Sequence, residues 1–468
     1  MAYLLLRFLG MRTNRLRAGI RIGRAAAAAA AGCLAALPLL TAVPGISGDI
    51  TAIMREVRRL ESLPLWPGFA PAAVPAAVFD EDTTYLFDFP HPPKGFRVLK
   101  EGVNISVFQG RHPSVIGNRR ILLDGVWVAT SIPQMFSPDS GRSYSTTEMA
   151  GVILHEKFHV FQALRHPDWR PNDALLLTYP LDTPASLALR TMEMEALRRA
   201  VSAGRERDAA GWAGTALRFR RDRLALLPER YAVYEREVQL LEGTAEYVEF
   251  LTVGRGPFDG LPISGFAPKA AREMGYRGGR WIAVLLDRLD PSWKERLEAG
   301  EFRYLEDRLE ACLPRGREPI TFSPEEQSRF WEDAAVELAA EEEERKSRLK
   351  EFYDKMGVCL DFIAAEKPLR LEMFDPLTTE TVGDRRMIHS QWIVLRNDNG
   401  VLEVIDRPCL TEVNDLSQVV RFVVPGVSRR TAVNHWLDRV TVAQEGITAA
   451  FRGARVSVRP ENVRISLK

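Results

Sequence analysis

The repeat of apolar positions changes twice along the chain. Over residues 49–145 they come in short runs broken by prolines. A short helix is expected at 50–63, followed by short strands. The clearest strands are 120–123 and 126–129, separated by Asp124-Gly125, a pair suited to a tight hairpin because glycine takes positive φ without steric cost. From Ser145 to Glu351 apolar residues recur every three or four positions, the period of an amphipathic helix. Residues 332–351 are dominated by charge and read as a solvated helix bridging two parts of the molecule. Beyond Val358 alternation returns. Strands at 392–395 and 401–405 flank Asn397-Asp398-Asn399-Gly400, and 419–424 and 455–458 read as further strands. The pattern predicts an α+β protein. A strand-containing region (49–144) precedes a mainly helical domain (145–351), and a small β-rich domain follows (352–468). No internal repeat is evident.

Composition adds two constraints. Hydrophobic residues make up 46% of the 468 positions and charged residues 27%, ordinary values for a folded protein. The formal charge of +1 implies no global nucleic-acid-binding surface. The charge is unevenly placed, however. Arg7, Arg12, Arg15, Arg17, Arg21 and Arg24 precede an uncharged run from Ala25 to Gly48, and no acidic residue interrupts them. A basic segment followed by an apolar, small-residue run has the form of an export signal. The run is also about long enough to span a bilayer, so residues 1–48 are expected to be a signal peptide or an N-terminal membrane anchor. Cys33, after Ala31-Gly32, is a candidate lipidation point. Export to the cell envelope, periplasm or medium follows. Cys359 and Cys409 fall in one region and can pair there or remain buried thiols.

The chemistry concentrates after Ser145. Ser145 and Glu148 form a Ser-x-x-Glu capping box that starts a helix, and Met149, Val152, Ile153, Val160 and Phe161 give it a buried stripe. Pro167 ends the pattern. Inside this helix lies His155-Glu156-Lys157-Phe158-His159. With only 7 histidines in the chain, H-E-x-x-H rarely arises by chance. Positions i and i+4 share a helix face, so both imidazoles can address one ion, while Glu156 points toward a water beside it. Zinc bound this way lowers the pKa of its water to about 7. Glu156 is then the catalytic base.

A catalytic zinc site needs a third protein ligand. No histidine follows closely downstream in the metzincin manner. The segment Val238-Gln-Leu-Leu-Glu242-Gly243-Thr-Ala245-Glu246-Tyr247-Val-Glu249 reads as a helix ending near Gly254. Glu242 and Glu246 lie one turn apart on it, and small residues between them allow close approach to the histidine helix. Glu242 is the expected ligand. Glu246 is expected to accept a hydrogen bond from the far nitrogen of a ligand histidine. Glu193, Glu195 and Glu237 remain competing ligands, with helix-surface charge the simpler reading of Glu193 and Glu195.

At these residues the chain resembles the gluzincins, the thermolysin and aminopeptidase N group of zinc peptidases. His155–His159 matches their first motif, and Glu242-Gly-Thr-Ala-Glu246-Tyr-Val-Glu is similar to their glutamate helix. Tyr276-Arg-Gly278-Gly279 resembles a Tyr-x-x-Gly helix that often follows. The likeness covers about residues 145–290. It implies a zincin-like helical domain, a Zn2+ cofactor, a peptide or protein substrate, and a tyrosine that stabilises the oxyanion. Tyr276 is the candidate, with Tyr247 the weaker one. Residues 126–129 are expected to be the edge that pairs with an extended substrate. Two departures stand out. His159 and Glu242 are 83 residues apart, an interval expected to hold helices near 191–203 and from 212. A Gly-x-Met-Glu-Asn segment that would anchor an amino terminus is absent. The alternative reading is a catalytically silent metal-binding or interaction protein. His91, His112, His166, His389 and His435 are isolated and read as surface or satisfied polar residues.

Overall fold

Each part of the chain forms what its period dictates. A computed structural model describes residues 48–99, 104–132, 144–254, 265–314, 320–428 and 433–467, so the basic and alanine-rich N-terminal segment lies outside them. Helix α1 (Gly48–Leu60) leads into six strands: β1 (Ala76–Asp80), β2 (Thr83–Phe87), β3 (Arg97–Val98), β4 (Ile105–Gln109), β5 (Arg119–Leu123) and β6 (Val126–Ser131). Their order is β3-β4-β2-β1-β6-β5, with β1 and β6 parallel. The β5–β6 hairpin turns at Asp124 (φ 44°) and Gly125 (φ 81°), as the dipeptide foretold.

One expectation is overturned here. Residues 126–129 lie inside the sheet, between β1 and β5. The terminal strand is β5. The hairpin signal gives two paired strands but says nothing about which partner a third strand will choose.

The helical part follows: α2 (Thr146–Arg165), α3 (Pro184–Ser202), α4 (Glu206–Leu224), α5 (Glu229–Val253), α6 (Lys269–Leu289), α7 (Trp293–Glu298), α8 (Leu305–Cys312) and α9 (Pro324–Tyr353). Ser145 caps α2 through a reciprocal box with Glu148. Helices α3 and α4 occupy the long interval between the two motifs. Gly254 (φ 77°) closes α5. Where α5 crosses α6, a Cβ placed on Gly243 would stand 2.5 Å from the Gly279 Cα and 2.8 Å from the Gly275 carbonyl oxygen. The two backbones therefore touch directly. Helix α9 keeps most of its charge in solvent and rests on α3 and β9 through Ala334, Leu338 and Phe352.

The C-terminal strands are β7 (Val358–Ile363), β8 (Arg370–Phe374), β9 (Thr379–Gly383), β10 (Arg386–His389), β11 (Trp392–Asn397), β12 (Gly400–Ile405), β13 (Cys409–Val413), β14 (Val419–Val427), β15 (Val433–Trp436), β16 (Arg439–Gln444), β17 (Ile447–Arg452), β18 (Ala454–Arg459) and β19 (Asn462–Leu467). They form two sheets, ordered β18-β19-β7-β14-β13-β10-β9 and β15-β16-β17-β12-β11-β8. Leu360, Phe362, Leu395, Val404, Phe422 and Phe451 fill the space they share. Tyr231, Tyr234 and Val238 of α5 join the same core, and the described residues fall in one compact unit. Cys312, Cys359 and Cys409 are free thiols. Among the described residues no helix is long and apolar enough to cross a membrane.

Candidate metal centre

Helix α2 packs against both β6 and α5, and its motif face meets α5. His155 and His159, one turn apart, bring their Nε2 atoms to 3.0 Å. Glu242 of α5 completes a triangle, its Oε2 lying 3.0 Å from His159 Nε2 and 3.7 Å from His155 Nε2. An ion held tetrahedrally at 2.0–2.2 Å from three ligand atoms requires them to lie roughly 3.3–3.6 Å apart. The observed spacing brackets that range. All three residues are buried, and together they form a group that can hold a metal ion.

The ring orientations have separate causes. Gln162 donates its amide hydrogens to the Leu241 carbonyl (2.8 Å) and Thr244 Oγ1 (2.9 Å). Its oxygen therefore faces His159 Nδ1 at 2.6 Å and accepts that proton. The Nε2 lone pair of His159 is left pointing at the centre. His155 is held differently, with its Nδ1 lying 3.2 Å from Glu249 Oε2, within ion-pair reach though outside good hydrogen-bond geometry. The carboxylate expected there was Glu246. It instead pairs with Arg280 Nε at 3.0 Å, fully buried, and burial pushes its carboxyl up to about 7 against the pull of Arg280. Glu249 is one further turn along the same helix face, and the orientation of α5 on α2 favours it.

The remaining oxygen of Glu242, Oε1, accepts a hydrogen bond from Arg272 Nη2 at 2.7 Å. Arg272 also reaches Asp173 and Tyr234. Burial opposes ionisation of Glu242, but His159, Arg272 and the nearby His155 ring outweigh it, and its carboxyl is held well below the usual value. For His155 burial likewise opposes charge. The nearby Glu242, Glu249 and Glu156 carboxylates prevail, and its pKa is well above the usual one. The cluster is thus built to hold positive charge at the point where the three ligand atoms meet.

Glu156 is buried, and its Oε2 has no hydrogen-bond partner in the protein. Burial raises its pKa, with His159 and His155 pulling the other way. Tyr276 of α6 lies nearly parallel to the His155 ring, centroids 6.1 Å apart, and burial together with the nearby Glu242 carboxylate pushes the pKa of its hydroxyl well above the usual value. Tyr247 is engaged elsewhere: its hydroxyl donates to Asp287 at 2.7 Å and meets Lys294 at 2.8 Å.

The competing carboxylates are all occupied away from the centre. Glu193 is buried between Arg220 (3.1 Å) and Arg223 (2.8 Å), which corrects its reading as surface charge. Glu195 pairs with Arg198 and Arg199, and Glu237 with Arg303 at 3.5 Å. His166 stacks on Trp169 and meets Glu298. Sequence reasoning missed Gln162, Glu249, Arg272 and Lys157. The fully buried Lys157 ties α2 to Glu61 and the Pro71 carbonyl, fixing the motif helix from behind. The signals were present for two of them, since Gln162 stands at i+3 from His159 and Glu249 at i+7 from Glu242. No family model, curated protein or solved structure matches the chain.

Proposed function

We propose that this protein is an exported zinc-dependent metallopeptidase of gluzincin type, with His155, His159 and Glu242 as the metal ligands. The observation that carries the reading is one convergence. Two imidazole nitrogens and a carboxylate oxygen converge 3.0–3.7 Å apart beside Glu156, whose buried Oε2 has no partner. When bound there, zinc supplies a Lewis acid that acidifies water and polarises the scissile carbonyl. Glu156 takes the proton of the attacking water and delivers it to the leaving amine. A carboxyl raised by burial suits that exchange near neutral pH. The Tyr276 hydroxyl, beside the His155 ring, can donate to the oxygen that gains charge. Gln162 and Glu249 hold the imidazoles in the orientation and protonation the centre needs. Export rests on the basic and apolar character of residues 1–48.

The test is metal content and peptide hydrolysis measured on the same samples. Wild type should hold about one zinc per chain and cleave members of a broad peptide library. Glu156→Gln should keep the zinc and lose hydrolysis by about 1,000-fold or more, given what general-base catalysis contributes. Zinc bound with no cleavage by wild type would instead support the silent metal-binding reading.

A further inference from the structure

The edge strand carries a cation that the proposed chemistry leaves unused. In the β5–β6 pairing Arg120 lies opposite Ala129. Directly opposed residues project from the same face of a sheet. Ala129 packs with Val160 of α2, so Arg120 projects from the face that α2 covers, on the strand at the sheet's end. Val160 is one turn beyond Glu156, which brings that edge near the Glu156 carboxylate. Arg119 takes the opposite face, where its guanidinium reaches Met373 and lies 5.5 Å from the Trp392 ring.

Arg120 differs from the other arginines around the centre. Arg272 is paired with Glu242 and Asp173, Arg280 with Glu246, and Arg277 with Glu273. Arg120 is only partly exposed, yet among the described residues its side chain makes no hydrogen bond or ion pair. The charges it feels are Glu242, Arg170, Glu156 and Asp173. Glu242 is committed to the ligand cluster and Arg272, and Asp173 to Arg272 and Tyr234, while Glu156, the proposed base, makes no hydrogen bond or ion pair with Arg120. A second cation, the exposed Arg170, adds to the positive field. A half-buried guanidinium without an anion lacks a partner that a ligand can supply. Its planar fork matches a carboxylate through two parallel hydrogen bonds. Among the described residues no strand pairs with the outer edge of β5, which can offer backbone groups to an extended chain.

We propose that Arg120 anchors substrate by binding a carboxylate of a peptide laid along β5, either its C-terminal carboxylate or an acidic side chain. This rests on the peptidase reading, and the test separates the two. The full-length Glu156→Gln protein, zinc-loaded, is titrated with three matched pools of N-acetylated hexapeptides. One has a free C-terminus and neutral side chains, one is the same pool amidated, and one is amidated with a glutamate at a fixed position. At least one carboxylate pool should bind about 10- to 100-fold tighter than the neutral amide, the range expected for a charge-assisted hydrogen bond. The pool that wins identifies the source of the carboxylate. Adding Arg120→Met should abolish the preference, and Arg120→Lys should keep part of it, which guards against a folding defect in the first variant. Equal affinity for all pools, no measurable binding, or a preference that survives Arg120→Met overturns the proposal. Hydrolysis of the same pools by wild type is measured in parallel. Carboxylate preference without cleavage removes the peptidase reading and keeps Arg120 as an anion site. Cleavage without preference does the reverse.

Discussion

The helical part and the C-terminal sheets handle buried polarity in opposite ways. In α2, α5 and α6 charged residues run through the interior: Glu156, Lys157, Glu242, Glu246, Glu249, Arg272, Glu273, Arg277 and Arg280 are all buried. In the sheets the buried polar residues are Asp361, Thr379, His389 and Thr411, set among apolar side chains. Asp361 is neutralised in place by Arg421 (2.8 Å) and Arg464 (3.1 Å). Burying a charge costs free energy unless it is paired, and well-packed apolar groups generally do the structural task as well. Charge concentrated in one region is therefore what the proposed metal centre would lead one to expect there. The sheets supply a firm base for α5 through Tyr231, Tyr234 and Val238.

That contrast can be broken or sharpened by experiment. The largest effects belong to the ligands: His159→Ala or Glu242→Ala should lower zinc from about one to below about 0.1 per chain, read by elemental analysis after dialysis. Glu249→Gln should weaken zinc binding by about 10- to 100-fold in a chelator competition, because His155 loses the carboxylate behind it. An unchanged affinity would make Glu249 a structural charge only. Gly243→Ala forces a Cβ against the Gly279 backbone and should cost about 1–3 kcal/mol in urea unfolding.

The smallest effect lies in the sheets. Burial pushes the imidazole of His389 down to about 3. The unfolded chain, near 6.5, takes the proton first as pH falls. Stability from this group is therefore complete above 6.5 and is lost below it, at about 1.4 kcal/mol per pH unit, until about 3. Between pH 6 and 5 a His389→Asn variant should lose about 1 kcal/mol less than the parent in urea titrations. Equal losses would mean that the imidazole is protonated in the folded protein.

Local chemistry was legible in the sequence, and orientation between elements was not. The capping box at Ser145 and Glu148, the turn at Asp124-Gly125 and the hairpin around residues 397–400 formed as their residue types required. His155, His159 and Glu242 met because the histidine pair is local to one turn and the glutamate helix carries small residues that permit close contact. The choice of Glu249 over Glu246 depends on how α5 is rotated against α2, which spacing along α5 alone does not encode. Glu193 looked like surface charge because its partners, Arg220 and Arg223, lie on a different helix. The edge role passed from 126–129 to β5 because the parallel partner of β6 is β1, some fifty residues earlier.

Gly243 follows Glu242 directly, and its contact with α6 leaves no side chain between the two backbones that could yield. The position of the Glu242 backbone against α6 is thereby set by the close approach of the two helices. Occupancy of such a socket calls for dehydration and proton displacement, with little chain entropy left to surrender. If a metal ion binds there, ionic radius and donor softness would weigh heavily in which ion is held, because α5 cannot move closer to α6.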